Sequence, residues 1–187
     1  KTEESKQRLT EIIFHDVRRL DRLISDISDA SRLDAELARS DAKPVDLEIL
    51  LSSLVDISRE IRHGKKAVQI DYVIDQKQGT NQHFIVNGHD LRLGQIVTNL
   101  IENARSFVPD ETGRILVKLS RNRSRCLIQV EDNGPGIQAE DIDRIFERFY
   151  TDRPGSESFG QNSGLGLSIS RQIAESVDLI VQINMRS

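Results

Sequence analysis

The chain has 187 residues, 37% of them hydrophobic and 30% charged, with a formal net charge of −4. That is enough apolar material for a buried core, which excludes wholesale disorder, and the acidic balance excludes a general nucleic-acid binder, so an anionic ligand has to be held by locally placed Arg and Lys. A single cysteine, Cys126, excludes a disulfide framework within one chain and fits a reducing compartment, while no apolar run approaches the length of a membrane span. The start at Lys1 is that expected of a piece of a longer protein.

Residues from about 4 to 37 read as one long helix. Leu9, Ile13, Val17, Leu20, Ile24 and Ile27 recur at three- and four-residue steps and form a narrow apolar stripe among Arg, Asp and Ser. A long helix with so narrow a stripe suits a helical hairpin or dimer seam better than a globular core. Residues 40 to 44 break it. A second helix is capped by Asp46, buries Leu47, Leu50, Leu51, Leu54, Ile57 and Ile61, and ends at Gly64. Val68, Ile70, Tyr72 and Ile74 alternate as a strand, residues 84 to 86 form another, and Asn87-Gly88 reads as a turn. Asp90 is placed to cap a third helix whose face is Leu93, Ile96, Val97, Leu100 and Ala104.

Two alternating strands follow, around Ile115, Val117 and Leu119 and around Cys126, Ile128 and Val130, with residues 121 to 125 as the hairpin between them. A Gly-rich loop, a short helix near residues 141 to 146 and a long polar loop come next, and Leu165 opens a last helix ending near Ser176. The expected class is α+β, with helices layered on one sheet as a two-layer sandwich and a coiled-coil-like helix in front.

Three segments of the α/β part carry chemistry. Asn99 and Asn103 lie four apart on one face of the third helix. A neutral amide oxygen suits a hard cation that also binds phosphates, though such a pair is also consistent with plain inter-helix hydrogen bonding. Asp132-Asn133-Gly134-Pro135-Gly136 ends an apolar strand. Glycines there let backbone approach a ligand, and a carboxylate, which only accepts, suits the exocyclic amine of adenine and repels the carbonyl of guanine. An ordinary turn has the same residues. Ser163-Gly164-Leu165-Gly166-Leu167 stands before a helix, where free N–H groups and the helix dipole favour phosphate, although a lone GxG is a weak signal.

The order and spacing of the three together resemble the N, G1 and G2 boxes of the histidine-kinase ATPase domain, the GHKL or Bergerat type. Arg144-Ile145-Phe146-Glu147-Arg148-Phe149-Tyr150 resembles the F box of that family, and the leading helix resembles the second helix of its dimerisation and phosphotransfer hairpin. The wording of helix and lid is similar to the ChvG/ExoS type of membrane sensor kinase. The resemblance implies a partial hairpin domain over residues 1–43 and an ATP-binding catalytic domain over 44–187. It implies that Asn103 holds Mg2+, that Asn99 sits beside the phosphates, and that Asp132 reads adenine in a pocket shaped by Gly134 and Gly136. Gly164, Leu165 and Gly166 then border a lid over residues 151–163, with Tyr150 at its root, and Arg105, Arg148 or Arg153 supplies positive charge; Arg105 and Tyr150 are counted among the nucleotide contacts.

It further implies ATP and Mg2+ as cofactors, a homodimer through the hairpin helix, and a response-regulator receiver domain as partner. The place implied is a cytoplasmic domain of a protein anchored in the bacterial inner membrane. Three departures stand out: Ser106 occupies a position where a basic residue is common, Asn162 stands where the G2 box often opens with Gly, and residues 176–187 are unlike the closing Gly-Gly turn and strands of the family. His15-Asp16 lacks the Pro and Leu of a phosphoacceptor motif and lies in the wrong hairpin helix, so the acceptor histidine is expected upstream. The function implied is transfer of the γ-phosphate of ATP to that histidine, for relay to a receiver Asp. Two alternatives stay open: a GHKL ATPase of the gyrase, Hsp90 or mismatch-repair type, in which Glu102 activates water, and a non-catalytic nucleotide-binding dimerisation remnant.

Overall fold

The structure is a computed structural model and describes residues 5–10, 12–14, 17, 20, 24, 28, 42–61, 68–75, 83–122, 125–138, 140–148, 150 and 164–176. The described residues between 5 and 28 are helical. Past residue 42 the elements are β1 (Lys43–Asp46), α1 (Leu47–Glu60), β2 (Gln69–Asp75), β3 (Ile85–Gly88), α2 (Asp90–Phe107), β4 (Arg114–Asn122), β5 (Arg125–Asp132), a 3-10 turn (Arg144–Phe146) and α3 (Gly166–Ser176).

β2, β4 and β5 form one sheet in the order β2-β4-β5, with β2 parallel to β4 and β4 antiparallel to β5. β1 and β3 form a separate antiparallel pair. The parallel β2–β4 pair requires a crossover, and α2 lies within it in sequence. Ile70, Ile115, Val117 and Leu119 share a core with Leu47, Leu51 and Val55 of α1 and Leu93, Val97, Ile101 and Ala104 of α2. The two helices thus cover one face of the sheet, giving the expected two-layer arrangement.

α2 has a second apolar edge. Ile96 and Leu100 pack with Leu165, Ile169, Ile173 and Ala174 at the start and along the length of α3. Residues at steps of four fall close together on a helix, so 93, 97 and 101 make one stripe and 96 and 100 the next. The helix that carries the paired asparagines is therefore also the piece that joins sheet and α3.

Several expectations need correction. Asn87-Gly88 is no turn: it closes β3 and pairs with Pro44 and Lys43 of β1, a strand the sequence pattern did not suggest. Four residues with Pro44 among them leave too little alternation to read. Asp46 does cap α1, accepting from the N–H groups of Glu48 (2.9 Å) and Ile49 (3.3 Å), but the helix ends at Glu60 rather than Gly64. Ile57 and Ile61, expected on its buried side, are 54% and 47% exposed, because the inward line runs Leu47, Leu51, Val55, Ser58. His89, not Asp90, holds the N-cap position of α2, and Asp90 accepts from the next N–H instead. The hairpin strands also run deeper into the expected turn, to the pair Asn122 and Arg125. Cys126 is half-buried against the core, and burial pushes its thiol up, opposed by Arg121, so it is a small apolar residue and a poor nucleophile.

Candidate functional site

The site is built outward from α2. The Asn99 amide donates to the carbonyl of Gly166 (3.1 Å) and to Ser170 Oγ (3.3 Å), and the fully buried Ser170 hydroxyl donates to the same Gly166 carbonyl (2.9 Å). The first turn of α3 is thereby tied to the middle of α2. Its neighbour on that face, Asn103, is half-buried and makes no side-chain hydrogen bond among the described residues, while its carbonyl accepts from Ser106 Oγ (2.7 Å). A neutral amide with no partner among the described residues is what an ion carried in by phosphates can use.

Among the described residues no group of three or more His, Cys, Asp or Glu is placed to hold a metal. The donor set fits Mg2+ only as a partner of nucleotide, since a hard cation with one protein amide must take its other oxygens from phosphate and water.

The C-terminal end of α2 meets the loop after β5. Asp132 closes that strand, and its Oδ1 accepts from Gly134 N–H (2.8 Å). A Cβ on Gly134 would lie 2.8 Å from that oxygen and 3.1 Å from the Phe107 carbonyl, so only glycine seats here without a shift. Gly136 and Gly164 have φ of 79° and 70°, left-handed values that L side chains avoid. Thus Asn99 and Gly166 meet directly, and Gly134 rests on the helix that also bears Asn103.

Four predicted contacts are placed differently. Arg105 is 6% exposed and points to the end of α1, donating to the carbonyls of Ser58 (2.5 Å) and Ile61 (2.8 Å). Those carbonyls sit at the negative end of a helix dipole, where a cation is stabilised, so Arg105 clamps α2 to the end of α1. Glu102 pairs with Arg105 at 3.7 Å, and that pairing directs it toward α1. Leu165 is 4% exposed inside the α2–α3 cluster, so its side chain belongs to the core. Tyr150 spends its hydroxyl on Asp141 Oδ1 (2.5 Å), and the Arg144 guanidinium lies 4.5 Å from the centre of its ring.

Asp141 and Asn133 do not stand out in the sequence as organising residues. Asp141 is 9% exposed, accepts from Tyr150 and pairs with Arg144 at 3.5 Å, tying residue 150 back to the turn before it. The 3-10 turn is docked on α3, with Arg148 donating to Gln172 (3.3 Å) and Arg171 lying 5.5 Å from the Phe146 ring. An Asp nine residues before a Tyr is an available signal, but its spacing has no helical or strand period to give it meaning. His15, Arg153, Asn162 and residues 151–163 and 177–187 lie outside the described residues.

This arrangement can be set against known proteins. Residues 88–187 match the profile of the histidine kinase-, DNA gyrase B-, and HSP90-like ATPases, which is more than half of the chain. The chain belongs to that family. Within it the similarity is to sensor histidine kinases. The chain is 80% identical over 175 residues to Sensor protein ChvG of Agrobacterium fabrum (strain C58 / ATCC 33970), covering 94% of the chain and 29% of that protein. It is 73% identical over 175 residues to Sensor protein ChvG of Rhizobium meliloti (strain 1021), covering 94% and 30%. Among solved structures, full-length ShkA in complex with AMPPNP superposes with a TM-score of 0.64 at 26% identity, covering 94% of this chain and 34% of that one. The chain therefore spans under a third of the length of these two ChvG proteins. In this chain α2 is the helix that meets both Gly-bearing segments, through Asn99 at Gly166 and through Phe107 at Gly134.

Proposed function

We propose that this chain is the ATP-donating part of a two-component sensor histidine kinase. It would transfer the γ-phosphate to a histidine upstream of the residues present here, for relay to a response-regulator aspartate. The single observation that carries the proposal is the convergence on α2: Asn99 fixes the first turn of α3 and Gly134 rests on Phe107, while the Asn103 amide on the turn between them makes no hydrogen bond among the described residues. The identity to ChvG proteins supports the kinase reading over other members of the family.

In this reading Asp132 accepts from the adenine amine, with Gly134 and Gly136 shaping the pocket floor. Asn103 holds Mg2+, which neutralises developing charge on the phosphates when bound. Asn99 acts by positioning the first turn of α3, so that its N–H groups face the phosphates. The tie from Tyr150 to Asp141 anchors the residue that precedes the lid segment. No proton need be abstracted by Glu102, whose pairing with Arg105 argues against a water-activating base. The exposed stripe of the leading helix would be covered in a homodimer, and the full-length protein would be held at the bacterial inner membrane with this part in the cytoplasm. No helix among the described residues is itself long and apolar enough to cross a membrane.

The decisive experiment is phosphoryl transfer in trans. Incubated with γ-labelled ATP, the chain alone should acquire no acid-labile label. Mixed with a full-length partner that cannot bind ATP, it should label that partner. Label on the chain alone that disappears in His15→Gln would overturn the placement of the acceptor. Steady ATP hydrolysis without transfer would favour the ATPase alternative, and binding with neither would favour the remnant.

A further inference from the structure

The ladder between β4 and β5 has its last backbone pair at Ile115 and Asp132. One step beyond, Asn133 faces Arg114. Its N–H still donates to the Arg114 carbonyl (3.2 Å), but the Arg114 N–H goes to the side-chain Oδ1 of Asn133 (2.8 Å). The Nδ2 of the same amide donates to the Thr112 carbonyl (2.9 Å). A primary amide has one acceptor and two donors in a fixed fork, so it can take the place of a peptide group in the ladder. The sheet thus gains one more rung through a side chain, while the main chain is released to turn toward Gly134.

The partner of this strap is itself confined. In the turn that Asn133 grips, a Cβ on Gly113 would meet the Pro109 carbonyl at 2.7 Å and Val108 Cγ2 at 2.7 Å. The turn follows directly from α2 and its asparagines. Asp132 is therefore held between a rung on one side and Gly134 N–H on the other, with Gly134 against Phe107.

We propose that Asn133 is a positioning residue for nucleobase recognition. It straps the loop bearing Asp132 to the turn after α2, and so sets where the Asp132 carboxylate stands. This deepens the reading of Asp132 given above and rests on it. The residue type is strict on chemical grounds. Asp would set an oxygen against the Thr112 carbonyl, Ser has one short hydroxyl for two partners, and Ala has neither. Misplacing an acceptor weakens the hydrogen bond it makes, because that bond loses strength steeply with angle and distance.

The test is calorimetry of ADP and GDP with Mg2+ on the chain and on Asn133→Ala, Asn133→Asp, Asp132→Ala and the double variant Asp132→Ala/Asn133→Ala, each below its own melting temperature. The expected result is a loss of ADP affinity of roughly tenfold in Asn133→Ala and at least as much in Asp132→Ala, the size of one lost hydrogen bond to a charged group. GDP affinity should change little, so adenine preference narrows. The double variant should bind ADP no more weakly than Asp132→Ala, because a positioning residue has nothing left to position. Should Asn133→Ala fail to fold, Asn133→Ser, which keeps one hydroxyl, carries the same cycle. The proposal is overturned if Asp132→Ala weakens ADP while the folded Asn133 variants bind it within twofold of the parent, even with lowered melting temperatures. It is also overturned if the two losses add in the double variant. If Asp132→Ala itself leaves ADP affinity and adenine preference intact, the reading of Asp132 falls, and the strap loses its function with it.

Discussion

Leu9, Ile13, Val17, Leu20 and Ile24 recur at three- and four-residue steps, and so do Leu93, Val97, Ile101 and Ala104. The first set is 54–63% exposed at Leu9, Ile13, Val17, Leu20 and Ile24, whereas the second is at most 4% exposed. Both sets have the pattern of a helix with a covered face. In α2 the cover is the sheet of the same chain. For the stripe between residues 9 and 24, none of the described residues provides it. An apolar period therefore states that a helix has a partner and leaves open where the partner is. A row of exposed Leu, Ile and Val usually marks an interface, which is why the proposed homodimer takes this helix as its seam.

The sharpest way to break this contrast is to truncate one residue of each kind. Leu51→Ala, at a fully buried position of α1, should lower the unfolding free energy by about 2–5 kcal/mol, by lost transfer energy plus the cavity left behind. Leu20→Ala should change the unfolding of dilute chain by no more than about 0.5 kcal/mol. It should instead weaken self-association in a sedimentation series. Equal destabilisation by the two in denaturant titrations would mean that the leading helix packs within its own chain.

A polar group can belong to the packed unit as fully as any leucine, and Arg105 is the case to probe. Arg105→Met keeps the apolar stem and removes the bonds to Ser58 and Ile61. Breaking charged hydrogen bonds of this kind should cost about 1.5–3 kcal/mol. Nucleotide affinity of the folded protein should stay within about twofold, since the guanidinium faces α1. A large loss of ATP affinity with unchanged stability would return Arg105 to the phosphate site.

The smallest effect is expected at Tyr72. Its hydroxyl is buried with no partner among the described residues, and burial, then Glu48 and Asp46, push its pKa up to about 12. A raised folded value means that the folded state keeps the proton longer than the unfolded chain does. That contribution to stability is whole below the ordinary value of about 10 and is lost as pH rises toward 12. Tyr72→Phe should be near neutral at pH 7 and should flatten the decline in melting temperature between about pH 10 and 12. An unchanged alkaline decline would assign it to other groups.

Much of this was legible from residue order. Long apolar periods placed α1, α2, α3 and the hairpin strands, because side-chain burial at steps of 3.6 or 2 is a local property of the chain. Asp46 was legible as a cap because the bond it makes is to N–H groups two and three residues away. β1 was not, since four residues beside a proline become a strand only when β3 supplies the other half of the ladder. The site divided in the same manner. Asn99, Asn103, Asp132, Gly134, Gly136, Gly164 and Gly166 stood out through spacing. The strap by Asn133, the tie from Tyr150 to Asp141 and the fate of Arg105 did not.

Residue order alone carried α1, α2, α3, the hairpin strands, the three Asn- and Gly-bearing segments and the family to which they belong, because each is written in spacings of a few residues. The tertiary structure alone decided which side chain of each segment turns inward to hold the others. Arg105 and Asn103 are two residues apart on one helix. One is buried against the carbonyls of α1, and the other is half-buried with no side-chain hydrogen bond among the described residues. Two residues on a helix are about 200° apart, so neighbours in sequence face different partners, and only the packing of α1, α2 and α3 says which partners those are.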